Sequence, residues 1–251
     1  MSILTTDSLS VSFGGIQALA GVDLSVDAGG VTGLIGPNGA GKTTFIDAVT
    51  GMVPTGGTVH LDGHDISTLS TNERASRGLV RTFQTLELFE DLTVEDNLAA
   101  AATRTPWWQF VVDALVPRRA EAEIPAVEAA LELLGIADDR DRLPSELSHG
   151  RRRLVGVARA LAASPKVLLL DEPAAGLDSA ESLALGDRLR GIAATGVTVF
   201  LIDHDMGLVL DVCDRIHVLD FGSVIASGSP DEIRNDPGVI AAYLGRAATP
   251  T

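Results

Sequence analysis

The chain has 251 residues, of which 45% are hydrophobic and 21% are charged, so it can bury a full core and has the composition of an ordinary globular protein. Its 34 acidic and 19 basic residues give a formal net charge of −15, which argues against sequence-independent binding of nucleic acid, since such binding depends on basic surface. No apolar run reaches the roughly 18 residues of a membrane span, the first residues lack the pattern of a signal peptide, and the single cysteine, Cys213, suits a reducing cytosol.

Strands are predicted at both ends of the chain and helices in its middle. The early predicted strands cover residues 3–13, 21–26, 31–35, 56–66 and 79–83, with a hairpin turn at Asp62–Gly63. Residues 93–163 predict helices, one of them over 126–136 with Gly135 as its C-cap. Strands return at 166–172, 196–203, 214–220 and 223–228, and a further helix is predicted at 180–194. Apolar strands alternating with helices indicate a parallel sheet covered on both faces, so the prediction is an α/β core with an inserted helical subdomain.

Residues 36–44, GPNGAGKTT, fit the phosphate-binding pattern G-x-x-x-x-G-K-[ST] between a predicted strand and a predicted helix. The loop consists of Gly36, Pro37, Asn38, Gly39, Ala40, Gly41, Lys42, Thr43 and Thr44. Its glycines let successive backbone N–H groups turn toward one anion, and the helix N-terminus adds its positive dipole end. Lys42 can reach the β- and γ-phosphates and the Thr43 hydroxyl can ligate Mg²⁺. The alternative is a Gly-rich turn that fits by chance; the strand and helix around the loop favour binding of a nucleoside triphosphate.

Two later strands end in residues suited to phosphate chemistry. Asp171 and Glu172 end the strand KVLLLDE, where Asp171 can hold Mg²⁺ and Glu172 can orient or deprotonate the attacking water. A strand-end pair of carboxylates could also be a solvated turn, but the phosphate loop upstream favours the functional interpretation. His204 follows the strand at 196–203, which is predicted to lie beside the Asp171 strand, so that His204 can contact a γ-phosphate oxygen. A lone strand-end histidine is otherwise more often structural.

Two further segments gain meaning from this context. Gln84 follows the strand LVRTF, and its neutral amide can contact Mg²⁺ and the attacking water; the alternative is an exposed loop residue. LSHG at 147–150 precedes a helix, with Ser148 as a good N-cap and Gly150 allowing a backbone N–H to approach an anion closely. Taken alone, this segment is a capped helix.

The chain resembles the ABC-type ATPases over essentially its whole length. GPNGAGKTT, Gln84, LSHGRRR, VLLLDEP, AAGLD and IDHDM occur in the order and spacing of that family. The resemblance implies an α/β P-loop NTPase core over residues 1–86 and 161–251, with an N-terminal antiparallel β portion, and a helical subdomain over about 87–160. It also implies ATP and Mg²⁺ as ligands and two nucleotide-binding subunits paired head to tail.

By the same resemblance, Ser148 and Gly150 would serve the γ-phosphate bound by the other subunit, and Asp178 of AAGLD would line the seam between the two. Phe13 stands where the family places an aromatic ring against adenine; the alternative is a packed core phenylalanine. The family's usual LSGGQ is LSHGR here, with His149 and Arg151 at the changed positions. Arg151 either adds positive charge near the other subunit's phosphates or lies on a solvated helix face.

Residues 81–98, the segment DEPAAGLD and the tail GSPDEIRNDPGVIAAYLG are similar to the ATP-binding subunits of branched-chain amino acid importers and their urea and amide relatives. This implies integral-membrane permease subunits and a solute-binding protein as partners, no nucleic acid, and a place at the cytoplasmic face of the membrane. Gln84 and residues 85–91 would transmit closure of the site to the permease. Trp107–Trp108 is either a partner surface or a buried anchor.

Three other functions could use some of the same residues. Lipopolysaccharide-export ATPases share part of the pattern, which leaves an exporter as the nearest alternative. A soluble ABC ATPase acting on ribosomes or DNA is disfavoured by the single intact site, the acidic charge and the lack of a heptad array. A small-molecule kinase or GTPase would leave LSHG and AAGLD unexplained, and no N-K-x-D motif is present.

Overall fold

The computed structural model describes residues 1–82, 88–102 and 123–247. The chain divides into two compact units, one formed by residues 1–81 with 166–251 and the other by residues 82–165. The helices of the described residues are α1 (Lys42–Thr50), α2 (Thr71–Ser76), α3 (Val94–Ala102), α4 (Glu123–Leu133), α5 (His149–Ala162), α6 (Ser179–Ala194), α7 (Met206–Val212), α8 (Pro230–Asn235) and α9 (Pro237–Ala247). Within these ranges no helix has both the length and the apolar character that crossing a membrane requires.

An antiparallel sheet opens the first unit. Its strands are β1 (Ser2–Phe13), β2 (Ile16–Asp27), β4 (Gly56–Leu61) and β5 (His64–Asp65), in the order β2-β1-β4-β5. Asp62 and Gly63 join β4 to β5 with φ of 52° and 73°. Positive φ at both central residues is the geometry of a two-residue hairpin turn, so the turn predicted at this position is confirmed.

The second sheet carries the strand ends that matter for chemistry. It consists of β3 (Val31–Ile35), β6 (Leu79–Arg81), β7 (Val167–Asp171), β8 (Thr198–Ile202), β9 (Arg215–Asp220) and β10 (Ser223–Gly228), in the order β10-β9-β3-β8-β7-β6. All neighbouring pairs are parallel except β9 with β10. Every residue of β3, β7 and β8 is buried, as expected for strands covered on both faces. The carboxyl ends of these three adjacent strands therefore share one edge, which confirms the predicted parallel sheet and the adjacency of β7 and β8.

Helix α1 is anchored in the core between the sheets. Its Phe45 and Ile46 are fully buried in a cluster that also contains Leu4, Val26 and Phe200. The Phe45 and Phe200 ring centroids are 5.7 Å apart. Full burial of one such side chain contributes about 1.5–3 kcal/mol. The helix that follows the phosphate loop is thus held by apolar packing against both sheets.

The second unit is helical in its described part, with α3, α4, α5 and short 3₁₀ turns at Ala137–Asp139 and Pro144–Glu146. Helix α4 ends in a Schellman motif, in which the N–H of Gly135 (φ 62°) donates to Glu132 O and that of Ile136 donates to Leu131 O. This confirms Gly135 as the predicted stop signal. The buried Asn97 side chain donates to the carbonyls of residues 89, 92 and 93 and accepts the Phe89 N–H, so it holds the segment before α3.

Candidate nucleotide-binding site

The phosphate loop connects the end of β3 to the start of α1. Gly36 has φ 154°, and a Cβ placed on it would lie 2.0 Å from the Leu219 carbonyl oxygen. Gly41 has φ 107° and serves as the N-cap of α1. The Lys42 ammonium donates to the carbonyls of Gly36 (2.7 Å) and Pro37 (3.0 Å). The loop is therefore a tightly fitted backbone turn at a helix N-terminus, where a phosphate can bind, and the Lys42 ammonium lies over its first two residues.

A groove of 470 Å³ opens beside this loop, within the range usual for small-ligand sites. Its lining residues are Ile16, Gln17, Ala18, Asn38, Gly39, Gly41, Lys42, Thr43, Thr44, Glu172, Phe221 and Gly222. Polar and backbone groups of the phosphate loop thus share the groove with apolar side chains from the β2 and β9–β10 segments. Ala40, by contrast, is buried beneath the loop and supports it from the core.

Phe13 lies at the end of β1 and is 50% exposed, so the alternative of a packed core phenylalanine is wrong. Its side chain is not part of the groove lining, whereas Ile16 and Phe221 are. Stacking of adenine on Phe13 stays a prediction. The Phe13 ring is accessible to a ligand that extends beyond the groove.

Asp171 is the last residue of β7 and is buried. Its Oδ2 accepts a hydrogen bond of 2.9 Å from Arg81 Nη2, and Arg81 Nη1 forms an ion pair with Asp47 of α1. Burial raises the pKa of the Asp171 carboxyl, and the Arg81 guanidinium opposes this shift. Neither Arg81 nor Asp47 was predicted to belong to the site, because they lie 90 and 34 residues from their partners along the chain.

Glu172 follows Asp171 with a strained backbone and a side chain that lines the groove. Its φ of 50° is unusual for a residue with a Cβ, and its N–H donates to Ile202 O at 2.7 Å. His204 Nδ1 lies 4.0 Å from Glu172 Oε2 and 3.6 Å from Asp203 Oδ1. The ends of β7 and β8 thus bring Glu172 and His204 together, as the predicted strand order requires.

Asp203 is a site residue that the sequence analysis missed. It is 1% exposed, and its two carboxylate oxygens accept the N–H groups of Ala174 (3.0 Å) and Asp205 (2.9 Å). Burial raises the pKa of Asp203, and these backbone hydrogen bonds oppose the shift. The side chain ties the loop after β7 to the loop after β8, on which His204 stands. Its position, an acidic residue directly after an apolar strand, is the signal that had identified Asp171.

Asp178 is exposed and caps α6. Its Oδ1 accepts the Glu181 N–H at 2.8 Å, while Glu181 Oε2 accepts the Asp178 N–H at 3.1 Å. The pair forms a capping box, so Asp178 has a structural role that its predicted place at a subunit seam did not reveal.

In the second unit, Ser148 caps α5 by accepting the Arg151 N–H at 3.3 Å. His149 and Gly150 are the first residues of that helix, so His149 replaces the family's glycine in ordinary helical backbone. Arg151 forms an ion pair with the buried Asp139, which also accepts from Arg142 at 3.1 Å. Arg151 thus lies at the exposed start of α5 but forms an ion pair with Asp139, so its charge is already paired within this unit. Arg153 Nε donates to His149 Nε2 at 3.3 Å.

Two predicted features lie outside the described residues: Gln84 with residues 85–87 of the segment predicted to transmit closure, and Trp107–Trp108.

The residues present fit a nucleoside triphosphate with Mg²⁺. The loop leaves no space for a Cβ at Gly36, and the side chains of Lys42 and Thr43 line the same groove. A buried carboxylate, Asp171, ends β7, which is separated from β3 by β8 in the same sheet. Oxygen donors of this kind, combined with phosphate oxygens, are the set in which Mg²⁺ is usually held.

Comparisons with known proteins agree with this chemistry. The family model described as ABC transporter matches residues 19–175, and a model described as Branched-chain amino acid ATP-binding cassette transporter matches residues 223–249. The High-affinity branched-chain amino acid transport ATP-binding protein BraF of Pseudomonas aeruginosa is 40% identical, and LivG of Escherichia coli, described in the same words, is 38% identical. The Lipopolysaccharide export system ATP-binding protein LptB of Escherichia coli is 37% identical. Each of these three alignments covers 98% of both chains.

Solved structures give the same result. An ATP-binding cassette of an ABC transporter in its ADP conformation has a TM-score of 0.86 and 32% identity, covering 98% of this chain and 99% of that one. A nucleotide-free ATP-binding cassette has a TM-score of 0.84 and 33% identity, covering 97% and 99%.

Proposed function

Because this chain belongs to the ABC transporter ATP-binding family, we propose that it hydrolyses ATP to power a membrane importer of branched-chain amino acids or related small solutes. The observation that carries the proposal is that Lys42 and Thr43 of the phosphate loop line the same groove as Glu172. The match of residues 223–249 to the importer model supports the narrower class.

Each groove residue has a chemical role in this proposal. The loop N–H groups and Lys42 bind the β- and γ-phosphates and offset the charge that develops on the transferred phosphoryl group. Thr43 and Asp171 would hold Mg²⁺, with Gln84 as a further ligand. The bound ion would neutralise charge on the phosphate oxygens and so favour attack of water at the γ-phosphorus. His204 contacts a γ-phosphate oxygen.

Glu172 is the general base. It orients a water molecule and accepts one of its protons as the water oxygen bonds to the γ-phosphorus and the bond from that phosphorus to the ADP oxygen breaks. The products are ADP and inorganic phosphate. The 4.0 Å separation of Glu172 Oε2 from His204 Nδ1 keeps the proposed base and the proposed phosphate contact at one strand edge.

The remaining predicted residues act in a pair of subunits. Ser148 and Gly150, at the start of α5, serve the γ-phosphate of a second nucleotide-binding subunit, and Asp178 lines the seam. Helix N-termini suit this task because their unpaired N–H groups face an anion. Phe13 stacks on the base.

The transporter partners follow from the same proposal. The chain works at the cytoplasmic face of the membrane, bound to integral-membrane permease subunits. A solute-binding protein delivers the solute to these subunits. Gln84 and the residues after it transmit closure of the ATP site to the permease.

A second candidate function is export. The lipopolysaccharide export relative is 37% identical over 98% of both chains, close to the values for the importer relatives. ATP chemistry at the groove is the same in both cases, so only the partner chains distinguish them.

Affinity purification of the tagged chain from gently solubilised cells tests the proposal. We expect recovery with polytopic permease subunits and a solute-binding protein, whose ligand would identify the solute. Recovery with lipid-export components would support the second candidate. A fully soluble particle with ribosomal or DNA-repair proteins would contradict both.

A further inference from the structure

We propose that Arg81 is a positioning residue for Asp171, which holds this carboxylate in a fixed direction against the helix that follows the phosphate loop. The inference rests on the proposed function, in which Asp171 holds Mg²⁺. Arg81 does not line the groove, and in this proposal it acts through the carboxylates of Asp171 and Asp47.

Arg81 stands at the end of β6, the parallel neighbour of β7. Its side chain is 9% exposed, and its two terminal nitrogens bind different carboxylates. Nη2 donates to Asp171 Oδ2 at 2.9 Å, and Nη1 forms the ion pair with Asp47 in the middle of α1. One guanidinium therefore connects β6, β7 and α1.

The planar guanidinium suits this task better than an ammonium group. Its fork presents N–H donors in fixed directions, so it can bind two separate carboxylates at once, whereas the single nitrogen of lysine is a point charge on a flexible stem. Binding through Oδ2 fixes the orientation of the whole Asp171 carboxylate. One positive and two negative charges also leave this trio with a net negative charge, which favours a cation beside it.

Partners that orient a metal-binding side chain commonly affect metal affinity strongly. Their replacement typically costs about 10–100-fold in metal affinity or activity. The same magnitude is expected for Arg81 if it sets the direction of Asp171.

Arg74, in α2, offers a matched control because it also contacts α1. It is also a buried arginine, but it donates only to backbone carbonyls, two of them near the end of α1 (Ala48 and Val49) and two at Ser67 and Leu69. Its replacement should weaken packing around α1 without affecting Asp171.

The test measures ATP affinity in excess EDTA and then during a Mg²⁺ titration, together with the thermal unfolding temperature. Arg81→Lys keeps the positive charge and loses the forked guanidinium. We therefore expect the Mg²⁺ concentration that gives half of the full change in ATP affinity to rise about 10–100-fold. ATP affinity in EDTA should stay within about twofold, because the phosphate loop is unchanged. Asp47→Asn should shift the Mg²⁺ dependence in the same direction by a smaller factor. Arg74→Lys should lower the unfolding temperature and leave the Mg²⁺ dependence at the wild-type value.

Wild-type Mg²⁺ dependence in both Arg81→Lys and Asp47→Asn would overturn the role of Arg81. So would an Arg81→Lys protein that loses metal-free ATP binding and unfolds early, since Arg81 would then support only the fold. A wild-type protein that binds no ATP would instead overturn the proposed function, and this inference with it.

Discussion

Gly36 is the residue at which backbone geometry constrains the phosphate loop most severely. Its φ of 154° is compatible with glycine, and a Cβ there would lie 2.0 Å from the Leu219 carbonyl oxygen. Gly29 also has a positive φ, 74°, but a Cβ there meets nothing within 4 Å. Alanine at Gly29 would therefore add backbone strain alone, whereas alanine at Gly36 would add steric overlap as well.

We predict that Gly36→Ala lowers the free energy of unfolding by about 1–3 kcal/mol more than Gly29→Ala and weakens ATP binding. The added methyl group must displace backbone at the loop, whereas Gly29→Ala carries only the cost of a left-handed conformation, about 1–2 kcal/mol. Denaturant unfolding and ATP titration of both variants give the comparison. Equal losses of stability, with ATP affinity retained in Gly36→Ala, would contradict this account of the loop.

The sequence predicted which residues stand at the strand edge better than which residues hold them there. Asp171, Glu172 and His204 could be predicted because each ends an apolar strand, and parallel strands end at one edge. Asp203 obeys the same rule and could have been found by it, but its hydrogen bonds to two backbone N–H groups appear only in the structure. Arg81 could not be found, since its partners depend on the order of β6, β7 and α1 in space.

At the scale of elements, two residues that are predicted to contact a second subunit, Ser148 and Asp178, are the N-caps of helices. Asp178 caps α6 and is also predicted to lie at a subunit seam, so one side chain combines a folding role with a proposed functional role. Asparagine caps a helix about as well as aspartate, whereas alanine does not. The two substitutions can therefore separate the roles.

We predict that Asp178→Ala lowers the free energy of unfolding by about 0.5–2 kcal/mol, while Asp178→Asn stays within a few tenths of a kcal/mol of wild type. Because Asp178→Asn keeps the cap and removes the charge, a fall in its ATP turnover would come from the seam. Denaturant unfolding and phosphate release provide the two measurements. Wild-type turnover in Asp178→Asn would exclude a functional role for the charge.

His217 connects the two sheets of the first unit. It lies in β9, is 3% exposed, and its Nε2 and Nδ1 lie 3.0 Å from Ser25 O in β2 and 2.7 Å from Ser227 Oγ in β10. Since a carbonyl only accepts, the neutral ring donates from Nε2 and accepts the Ser227 hydroxyl at Nδ1. Burial lowers the pKa of His217, and the Ser25 hydrogen bond opposes this shift.

This predicts a loss of stability in mild acid. A depressed folded-state pKa means that the unfolded chain takes up the proton first, so the contribution of His217 is complete above the unfolded pKa of about 6.5 and falls as the pH drops below it. The free energy of unfolding should therefore decline more steeply below pH 6.5 in wild type than in His217→Gln. Parallel pH profiles for the two proteins would show that this histidine does not titrate differently on folding.

The positions of the strands along the chain could be predicted, but most of their order in the sheets could not. Apolar runs and turn residues located most strands, because those signals are local; the tight turn at Asp62–Gly63 is one case. The order β10-β9-β3-β8-β7-β6 depends on pairings between residues far apart in the chain, such as Gly33 with Leu201, and patterns of hydrophobicity do not encode these. Only the adjacency of β7 and β8 was predicted.

At the scale of the whole molecule, the groove and the strand edge at β7 and β8 gather the described first-unit groups that are assigned to phosphate and water. The relatives match the chain over 98% of its length. Ser148 and Gly150 belong to the other unit of the chain and are proposed to serve a second subunit. The account of the molecule therefore depends on whether the groove hydrolyses ATP through Glu172.

The most direct test compares ATP binding and phosphate release in the wild-type protein and in Glu172→Gln, both with Mg²⁺. The isosteric amide keeps the shape of the side chain and cannot accept a proton, so we predict retained ATP binding and hydrolysis at least about 100-fold slower, the lower bound usual for loss of a general base. Near-normal turnover in Glu172→Gln would remove Glu172 from the mechanism and contradict the assignment of this groove.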